Sequence, residues 1–278
     1  RGEGPIVDWL VVMRRIDEGL MLEAAIPRHA LAPERLHALE RKLCQFYRHA
    51  RPVFATPQKY LAGWRRQLEW NRDVLNVPRL SMPIASILLI DGAQRRFLAR
   101  CGYQLVGRLQ RQKIIDGHGD LRPEHIWLGE PLSIIDCLEF NAEFRAVDPF
   151  DELSYLAIEC ERLGAPHVGS AALRRLSGVL SDGVTPELLA FYRCFRATLR
   201  ASLSIAHLLD PAPRTPAKWR PLALRYLKIA RREAVNLNRL LSRRADRPAG
   251  GFDEGVGSLA QRDRRRSIRL SSSERGLP

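Results

Sequence analysis

Long apolar runs are absent from this sequence. One of the longest, residues 84–90, is already broken by Ser86. A membrane-spanning helix needs about 20 consecutive apolar residues, so we expect no such span. The first ten residues, RGEGPIVDWL, also lack the basic segment and apolar stretch of a secretory signal peptide. These absences favour a cytoplasmic protein.

Closely spaced cysteines are lacking as well. The five cysteines are odd in number and scattered, and no two have the CxxC spacing: Cys44, Cys101, Cys137, Cys160 and Cys194. This pattern argues against a disulfide framework and against a structural zinc site. It fits a reducing compartment such as the cytosol.

Lysine is scarce, although the chain is strongly basic. The 45 basic residues exceed the 31 acidic ones by a net charge of +14, and only five of them are lysines. An excess of arginine can indicate a polyanionic partner. Here the arginines are interleaved with acids along the whole chain, which favours compositional bias on solvated faces. We therefore do not expect a nucleic-acid partner, and nucleic-acid binding stays as an alternative.

Apolar periodicity predicts a mostly helical α+β fold. Residues 6–16 are rich in Val and Ile, which predicts a strand. The predicted helices span residues 33–50, 57–75, 94–115, 148–163, 167–181, 186–209 and 216–243. Asp148 is suited to capping the fourth of these, with Pro149 in its first position. Residues 246–278 are rich in Gly, Ser and Arg, which predicts a disordered basic tail.

An irregular segment interrupts the helical pattern between the third and fourth predicted helices. Residues 116–125, DGHGDLRPEH, contain two glycines and a proline and are incompatible with a regular helix. Two short β-rich runs follow, at 126–128 and 132–136, and residues 129–131 join them. This pattern predicts a hairpin with an irregular turn.

Acidic and histidine side chains are concentrated in this segment. The loop contains His118, Asp120, Glu124 and His125, and the hairpin ends in Asp136. Crowded carboxylates repel one another, so a cation is needed to offset the repulsion. One Mg²⁺ would suffice, because it takes oxygen ligands and leaves room for phosphate oxygens. A phosphoryl transfer needs such a pair: one carboxylate accepts a proton from a hydroxyl and the other holds the metal.

Three motifs resemble those of the aminoglycoside phosphotransferases and other kinase-like small-molecule kinases. Residues 118–126, HGDLRPEHI, resemble the HGDxxxxN loop of that family. Residues 134–141, IIDCLEFN, resemble its metal-binding Asp segment, and residues 148–157, DPFDELSYLA, resemble the acidic helix start that follows. The match is closest to an uncharacterised bacterial branch of this family and covers roughly residues 5–240.

The resemblance implies the large, C-terminal lobe of a protein-kinase-like fold, with a short catalytic β-hairpin. Residues 17–245 would form this lobe, with the catalytic loop at 116–141. Residues 1–16 would be a remnant of the small lobe and the linker strand between lobes. Residues 246–278 would be the tail.

The resemblance also implies a function, the transfer of the γ-phosphate of ATP to a small-molecule hydroxyl acceptor. Asp120 would be the catalytic base and Asp136 a Mg²⁺ ligand. His125 stands where the family has a metal-contacting Asn and would take that role. The backbone at Val12, Met13 and Arg14 would hold the adenine ring.

The sequence departs from the kinase pattern at its beginning. No Gly-rich loop precedes the linker strand, the first lysine is Lys42 inside a predicted helix, and no GxxxxGK(S/T) loop follows. An N-terminal lobe or an ATPase partner would then come from another chain. Two further readings stay open: a pseudokinase remnant that acts as a scaffold, and a phosphohydrolase in which the loop histidines and both aspartates share a transition metal.

Overall fold

The computed structural model describes Val12 and residues 15–245, and it confirms the mostly helical α+β class. The α-helices in this part of the chain are α1 (Leu22–Ala25), α2 (Pro33–His49), α3 (Pro57–Leu75), α4 (Ile84–Gln110), α5 (Ala142–Arg145), α6 (Pro149–Arg162), α7 (Pro166–Leu180), α8 (Pro186–Ala206) and α9 (Pro216–Ala245). The strands are β1 (Ile115–Asp116), β2 (Ile126–Trp127), β3 (Ser133–Ile134) and β4 (Ala146–Val147). One compact unit ends at Leu241; of a second, which begins at Ser242, only the end of α9 is described.

The beginnings of the long helices follow local capping signals. Thr56, Asp148 and Thr185 each stand just before a helix, and each side chain accepts a hydrogen bond from a backbone N–H of the first turn. A proline fills the first helical position after each of them, where its missing N–H costs nothing. The predicted helices other than the third are therefore confirmed to within a few residues.

The predicted helix at 94–115 was wrong at both ends. Helix α4 begins ten residues earlier, at Ile84, and ends at Gln110. Pro83 occupies the position before the helix, so it starts the helix instead of separating it from the preceding segment. Ile115 is drawn into β1 by a partner 32 residues further along, Val147, which local periodicity does not reveal.

The two ends of the chain lie largely outside the described residues. Of the predicted strand at 6–16, only residues 12, 15 and 16 are described, and none of these is in a strand. The predicted tail at 246–278 is outside the described residues. No helix in the described part of the chain has the length and apolar character needed to cross a bilayer.

Two small antiparallel sheets hold the segment between α4 and α6. Strands β2 and β3 form the predicted hairpin, with Ile126 opposite Ile134, although it is shorter than expected. Strand β1 pairs with β4, which joins the two ends of the 116–147 segment. The Gly117 N–H extends this pairing by donating to the Arg145 carbonyl at 2.8 Å. The pairing of β1 with β4 therefore holds the two ends of this segment next to each other.

Aromatic side chains fill the interface of α3, α4 and α8. The rings of Phe97 and Phe191 stack with centroids 4.3 Å apart, and Trp64 meets Phe195 edge-on at 4.8 Å. Each of these four side chains is buried. Burying one such side chain stabilises the fold by about 1.5–3 kcal/mol, so the cluster fixes the three helices against one another.

Helix α6 is buried along its whole first three turns, from Pro149 to Cys160, and still carries several carboxylates. It lies so close to α7 that a Cβ on Gly169 would fall 2.3 Å from the Cα of Ala157. Its acids and its capping residue pair with arginines of other helices: Asp148 with Arg108 at 2.5 Å, Asp151 with Arg196 at 2.6 Å, and Glu159 with Arg200 at 2.8 Å. These ion pairs link α6 to α4 and α8.

Replacing Asp148 by Asn tests how much one of these buried pairs contributes. Asn caps a helix about as well as Asp, so Asp148→Asn keeps the cap and removes the charge that faces Arg108. We expect the free energy of unfolding to fall by about 3 kcal/mol, because the buried guanidinium of Arg108 loses its fully buried acidic partner, Asp148, and keeps Asp182. Urea denaturation measures this change.

The exposed pair of Arg72 and Asp73 is the matched control. Asp73→Asn should change stability far less, because solvent already screens both charges. Equal losses in the two variants would contradict the importance assigned to burial.

Candidate functional site

The catalytic-looking loop is attached to α6 through a buried carboxylate. Glu152 accepts a hydrogen bond from the Gly119 N–H at 2.6 Å and another from the Tyr47 hydroxyl at 2.8 Å. Gly119 has a φ of +84°, and a Cβ there would lie 2.9 Å from the Phe144 carbonyl oxygen. Only glycine fits this conformation and this contact. Burial raises the pKa of Glu152 and the two hydrogen bonds oppose that rise.

His118 fixes the backbone on the other side of the loop. Its Nε2 lies 2.8 Å from the Ile135 carbonyl oxygen, so Nε2 donates, and its Nδ1 accepts from the Asp120 N–H at 3.3 Å. This arrangement requires the neutral ring, and burial lowers the pKa of His118 accordingly. Both ring nitrogens are occupied, so His118 orients the backbone next to Asp120.

Asp120 is held by two donors. Arg122 contacts its Oδ2, with Nη2 at 2.7 Å and Nε at 2.9 Å, and the Tyr155 hydroxyl donates to Oδ1 at 3.0 Å. Burial raises the pKa of Asp120, but the charge and hydrogen bonds of Arg122 outweigh this, and the pKa lies below its usual value. Asp120 is therefore a charged carboxylate at neutral pH, and about a fifth of its side chain, 18%, is exposed.

His125 lies between the two aspartates that the sequence singled out. Its Nδ1 donates to the Asp120 carbonyl oxygen at 2.8 Å and is 3.8 Å from the Asp120 carboxylate. Its Nε2 is 3.2 Å from Oδ2 of Asp136 and also 3.2 Å from Nη2 of Arg122. Since Nδ1 carries the proton, the neutral ring turns an unprotonated Nε2 toward Asp136.

Asp136 is the solvent-exposed carboxylate of the site. It lies two residues after the end of β3 and has a φ of +63°, a left-handed conformation that Asp adopts more readily than most residues. Its side chain is 75% exposed, and within the described residues its one ion-pairing partner is His125. A carboxylate placed in this way has free oxygen positions for a cation.

The Asp136 and His125 pair fits two neighbouring positions around Mg²⁺. Octahedral ligands about 2.1 Å from the metal lie about 3 Å apart, close to the 3.2 Å between Oδ2 and Nε2. Arg122 would have to release Nε2 for the imidazole to coordinate. The described residues contain no group of three or more His, Cys, Asp or Glu side chains arranged around one metal position. This geometry disfavours the shared transition-metal site of a phosphohydrolase.

The structure thus brings Asp120, His125 and Asp136 together. The expected adenine-binding residues are Val12, Met13 and Arg14. Val12 is 95% exposed, and Met13 and Arg14 lie outside the described residues. Lys42 donates to the Leu132 carbonyl at 2.6 Å, so it has a structural contact with the hairpin.

Three contacting residues escaped the sequence analysis: Arg122, Tyr155 and Glu152. Glu152 binds the loop, whereas its neighbour Asp151 pairs with Arg196. One signal was available, since Glu152 and Tyr155 are three residues apart and share a face of the predicted helix. Nothing local indicates which acid turns toward the loop.

Comparison with known proteins finds uncharacterized mycobacterial relatives. The chain is 28% identical over 228 residues to a protein of Mycobacterium tuberculosis and, equally, to one of Mycobacterium bovis. The matched region is 80% of this chain and 44% of each relative, so the chain spans less than half the length of the curated relatives it matches. No protein-family model matches the chain. No solved structure matches it either.

The contact between Asp120 and Arg122 predicts a pH dependence of stability. The pKa of Asp120 in the folded chain lies below the 3.8 of the free side chain, so its stabilising effect is complete above that value. It is lost as the pH falls through the folded pKa. The stability difference between the wild type and Asp120→Asn should therefore be largest near about pH 6 and shrink toward about pH 3.

Urea denaturation of both proteins across this pH range measures the difference. Glu130→Gln is the control, because it removes an exposed acid of the same hairpin that forms no ion pair or hydrogen bond with a described side chain. Its difference from the wild type should stay small. A difference for Asp120→Asn that grows toward acid pH would contradict the lowered pKa.

Proposed function

We propose that this chain is the large lobe of a kinase-like phosphotransferase, which moves the γ-phosphate of ATP to a hydroxyl group of a small molecule. The observation that carries the proposal is the position of Asp120 and Asp136 on two sides of the His125 ring. These aspartates are sixteen positions apart in the sequence. One is enclosed and the other open to solvent, which suits two different tasks.

Asp120 is the proposed catalytic base. Its carboxylate stays charged at neutral pH, and it would accept the proton of the acceptor hydroxyl as that hydroxyl attacks the phosphorus. Arg122 places a positive charge beside it, where negative charge develops on the transferred phosphoryl group. Tyr155 and the His118-bound backbone hold the carboxylate in place.

Asp136 and His125 are the proposed ligands of Mg²⁺. When bound, the ion would neutralise charge on the phosphate oxygens of ATP. Imidazole is a weaker ligand for Mg²⁺ than an amide oxygen, so Asp136 would contribute most of the affinity. Magnesium sites with only one or two protein ligands are common where phosphates supply the others.

ATP would need a phosphate clamp that the described residues do not provide. No Gly-rich loop precedes the lobe in this sequence. Because the relatives are more than twice as long as the matched region, the clamp could belong to another part of a longer protein or to another chain. Val12, Met13 and Arg14 keep their proposed role in holding adenine through the backbone.

A scaffold without catalytic activity is the second candidate. The ion pair of Asp120 with Arg122 favours it, because an acceptor hydroxyl must compete with a guanidinium for the same carboxylate. Titration of the chain with ATP and Mg²⁺ separates the two candidates. A dissociation constant well below about 1 mM supports the phosphotransferase, and absent or weaker binding supports the scaffold.

Asp120→Asn tests the proposed base. With ATP, Mg²⁺ and a panel of small hydroxyl compounds that includes aminoglycosides, the rate of γ-phosphate transfer should fall by about 10²–10⁴-fold. The affinity for ATP should not change, because Asp120 is not a proposed ligand. Radiolabelled γ-phosphate measures the transfer. Undiminished transfer would refute the assignment of Asp120.

Asp136→Asn tests the proposed magnesium ligand. It should lower the Mg²⁺-dependent affinity for ATP by about 10–100-fold. Glu139→Gln is its control, since Glu139 is an exposed acid of the same segment. If both variants weaken ATP binding equally, the effect is one of general charge and Asp136 is not the ligand.

Tyr155→Phe tests the contact that orients Asp120. Loss of one hydrogen bond should slow transfer by about 2–10-fold. Arg122 remains the main cause of the lowered pKa of Asp120, but the pKa should rise without the hydroxyl. The acid limb of the pH–rate profile should then move to higher pH. A slower rate with an unmoved profile would indicate a purely structural role for Tyr155.

A further inference from the structure

The outward face of α9 carries a line of basic side chains. Arg225, Lys228, Arg231 and Arg239 are all exposed, and we call them the α9 basic face. Their spacings of three, three and eight residues place them on one side of a helix with 3.6 residues per turn. At 1.5 Å per residue the line is about 21 Å long.

These charges are not neutralised within the molecule. Arg225, Lys228 and Arg231 have no ion pair or hydrogen bond with any residue that the structure describes, and Arg239 donates to the Asn236 side chain at 2.8 Å. Several neighbouring arginines are paired: Arg193 and Arg232 bind Glu161 and Glu233, and Arg200 binds Glu159. Glu233 is the one acid in the sequence of α9, and it is buried.

The neighbouring helix adds to the same charge. Arg96 of α4 donates to the Asn238 side chain at 2.9 Å, and Asn238 lies seven residues, about two turns, after Arg231. The guanidinium of Arg96 therefore extends the α9 basic face at one edge. The positive charge at this surface therefore comes from two helices, α4 and α9.

Apolar anchors are nearly absent from this surface. Val235 is the one large apolar side chain of α9 that is exposed. An interfacial membrane helix would need a broad apolar face, and a stable protein–protein interface would need apolar or aromatic side chains at its centre. A partner that binds through charge alone fits this surface better.

We propose that the α9 basic face binds the phosphate backbone of a nucleic acid without reading its base sequence. A straight row of unpaired basic side chains matches a linear polyanion, and each contact releases a condensed counterion. Arginine also fits phosphate oxygens with paired N–H donors. This differs from the expectation drawn from the sequence, which could not show which arginines are already neutralised. It does not depend on the proposed phosphotransfer.

Fluorescence anisotropy of the full chain tests the proposal, with a labelled 20-base-pair DNA duplex and a labelled 20-nucleotide single-stranded RNA as probes. The triple variant R225Q/K228Q/R231Q should raise the dissociation constant by about tenfold or more. The slope of log affinity against log salt concentration should become shallower by about 2–3. The charge-preserving variant R225K/R231K should lose far less affinity than the triple variant, because it keeps the charges and gives up only the paired N–H donors of arginine. Binding of either probe with this pattern supports the proposal.

The control triple variant is R41Q/R65Q/R174Q. It makes the same change in net charge at exposed arginines of α2, α3 and α7 that have no ion pair or hydrogen bond with a described residue. It should leave binding nearly unchanged, and circular dichroism should show that both triple variants melt as the wild type does.

Three results would overturn the proposal. One is no binding of either probe at low salt. Another is an equal loss in the two triple variants, which would make the net charge responsible. The third is binding to vesicles containing phosphatidylglycerol, or to polyglutamate, that depends on the α9 basic face while binding to both nucleic acids does not.

Discussion

The burial of carboxylates around α6 is the constraint on which the rest of this structure depends. An unpaired charge in the interior costs several kcal/mol, so each of these acids needs a partner, and other elements of the fold supply these partners. Arg108 reaches Asp148 from α4, Arg196 reaches Asp151 from α8, and Gly119 reaches Glu152 from the loop. The ion pairs and hydrogen bonds of the α6 acids therefore set the positions of α4, of α8 and of the segment that carries the candidate site.

The same constraint explains why the site is asymmetric. The half of the loop near α6 is immobilised by hydrogen bonds, which leaves Asp120 enclosed, charged and fixed. The residues just after β3 lie at the surface, which leaves Asp136 exposed to solvent. His125 contacts both halves, because its Nδ1 donates to the Asp120 carbonyl oxygen and its Nε2 lies next to the Asp136 carboxylate. A proton acceptor benefits from a fixed environment, whereas a ligand shared with a substrate phosphate must be open, and the proposed roles follow this division.

The arginines fall into two populations with different physical roles. Those on α8, such as Arg196 and Arg200, are buried or nearly so and form ion pairs with acids of α6. Those on the α9 basic face form no ion pair with a described residue. Composition gives the net charge of +14 but counts both populations alike. The distribution, and with it the case for a polyanionic partner, becomes visible only when the ion pairs are known.

The sequence by itself determined what depends on neighbours along the chain. Capping residues and prolines set the helix beginnings, and the hairpin and the loop motif held Asp120, His125 and Asp136 within seventeen residues of one another. Tertiary structure alone decided the pairing of β1 with β4, the contact of Glu152 instead of Asp151 with the loop, and which arginines stay unpaired. Each of these depends on a partner more than 28 residues away, or on the absence of one, and periodicity reports only which face of an element is buried.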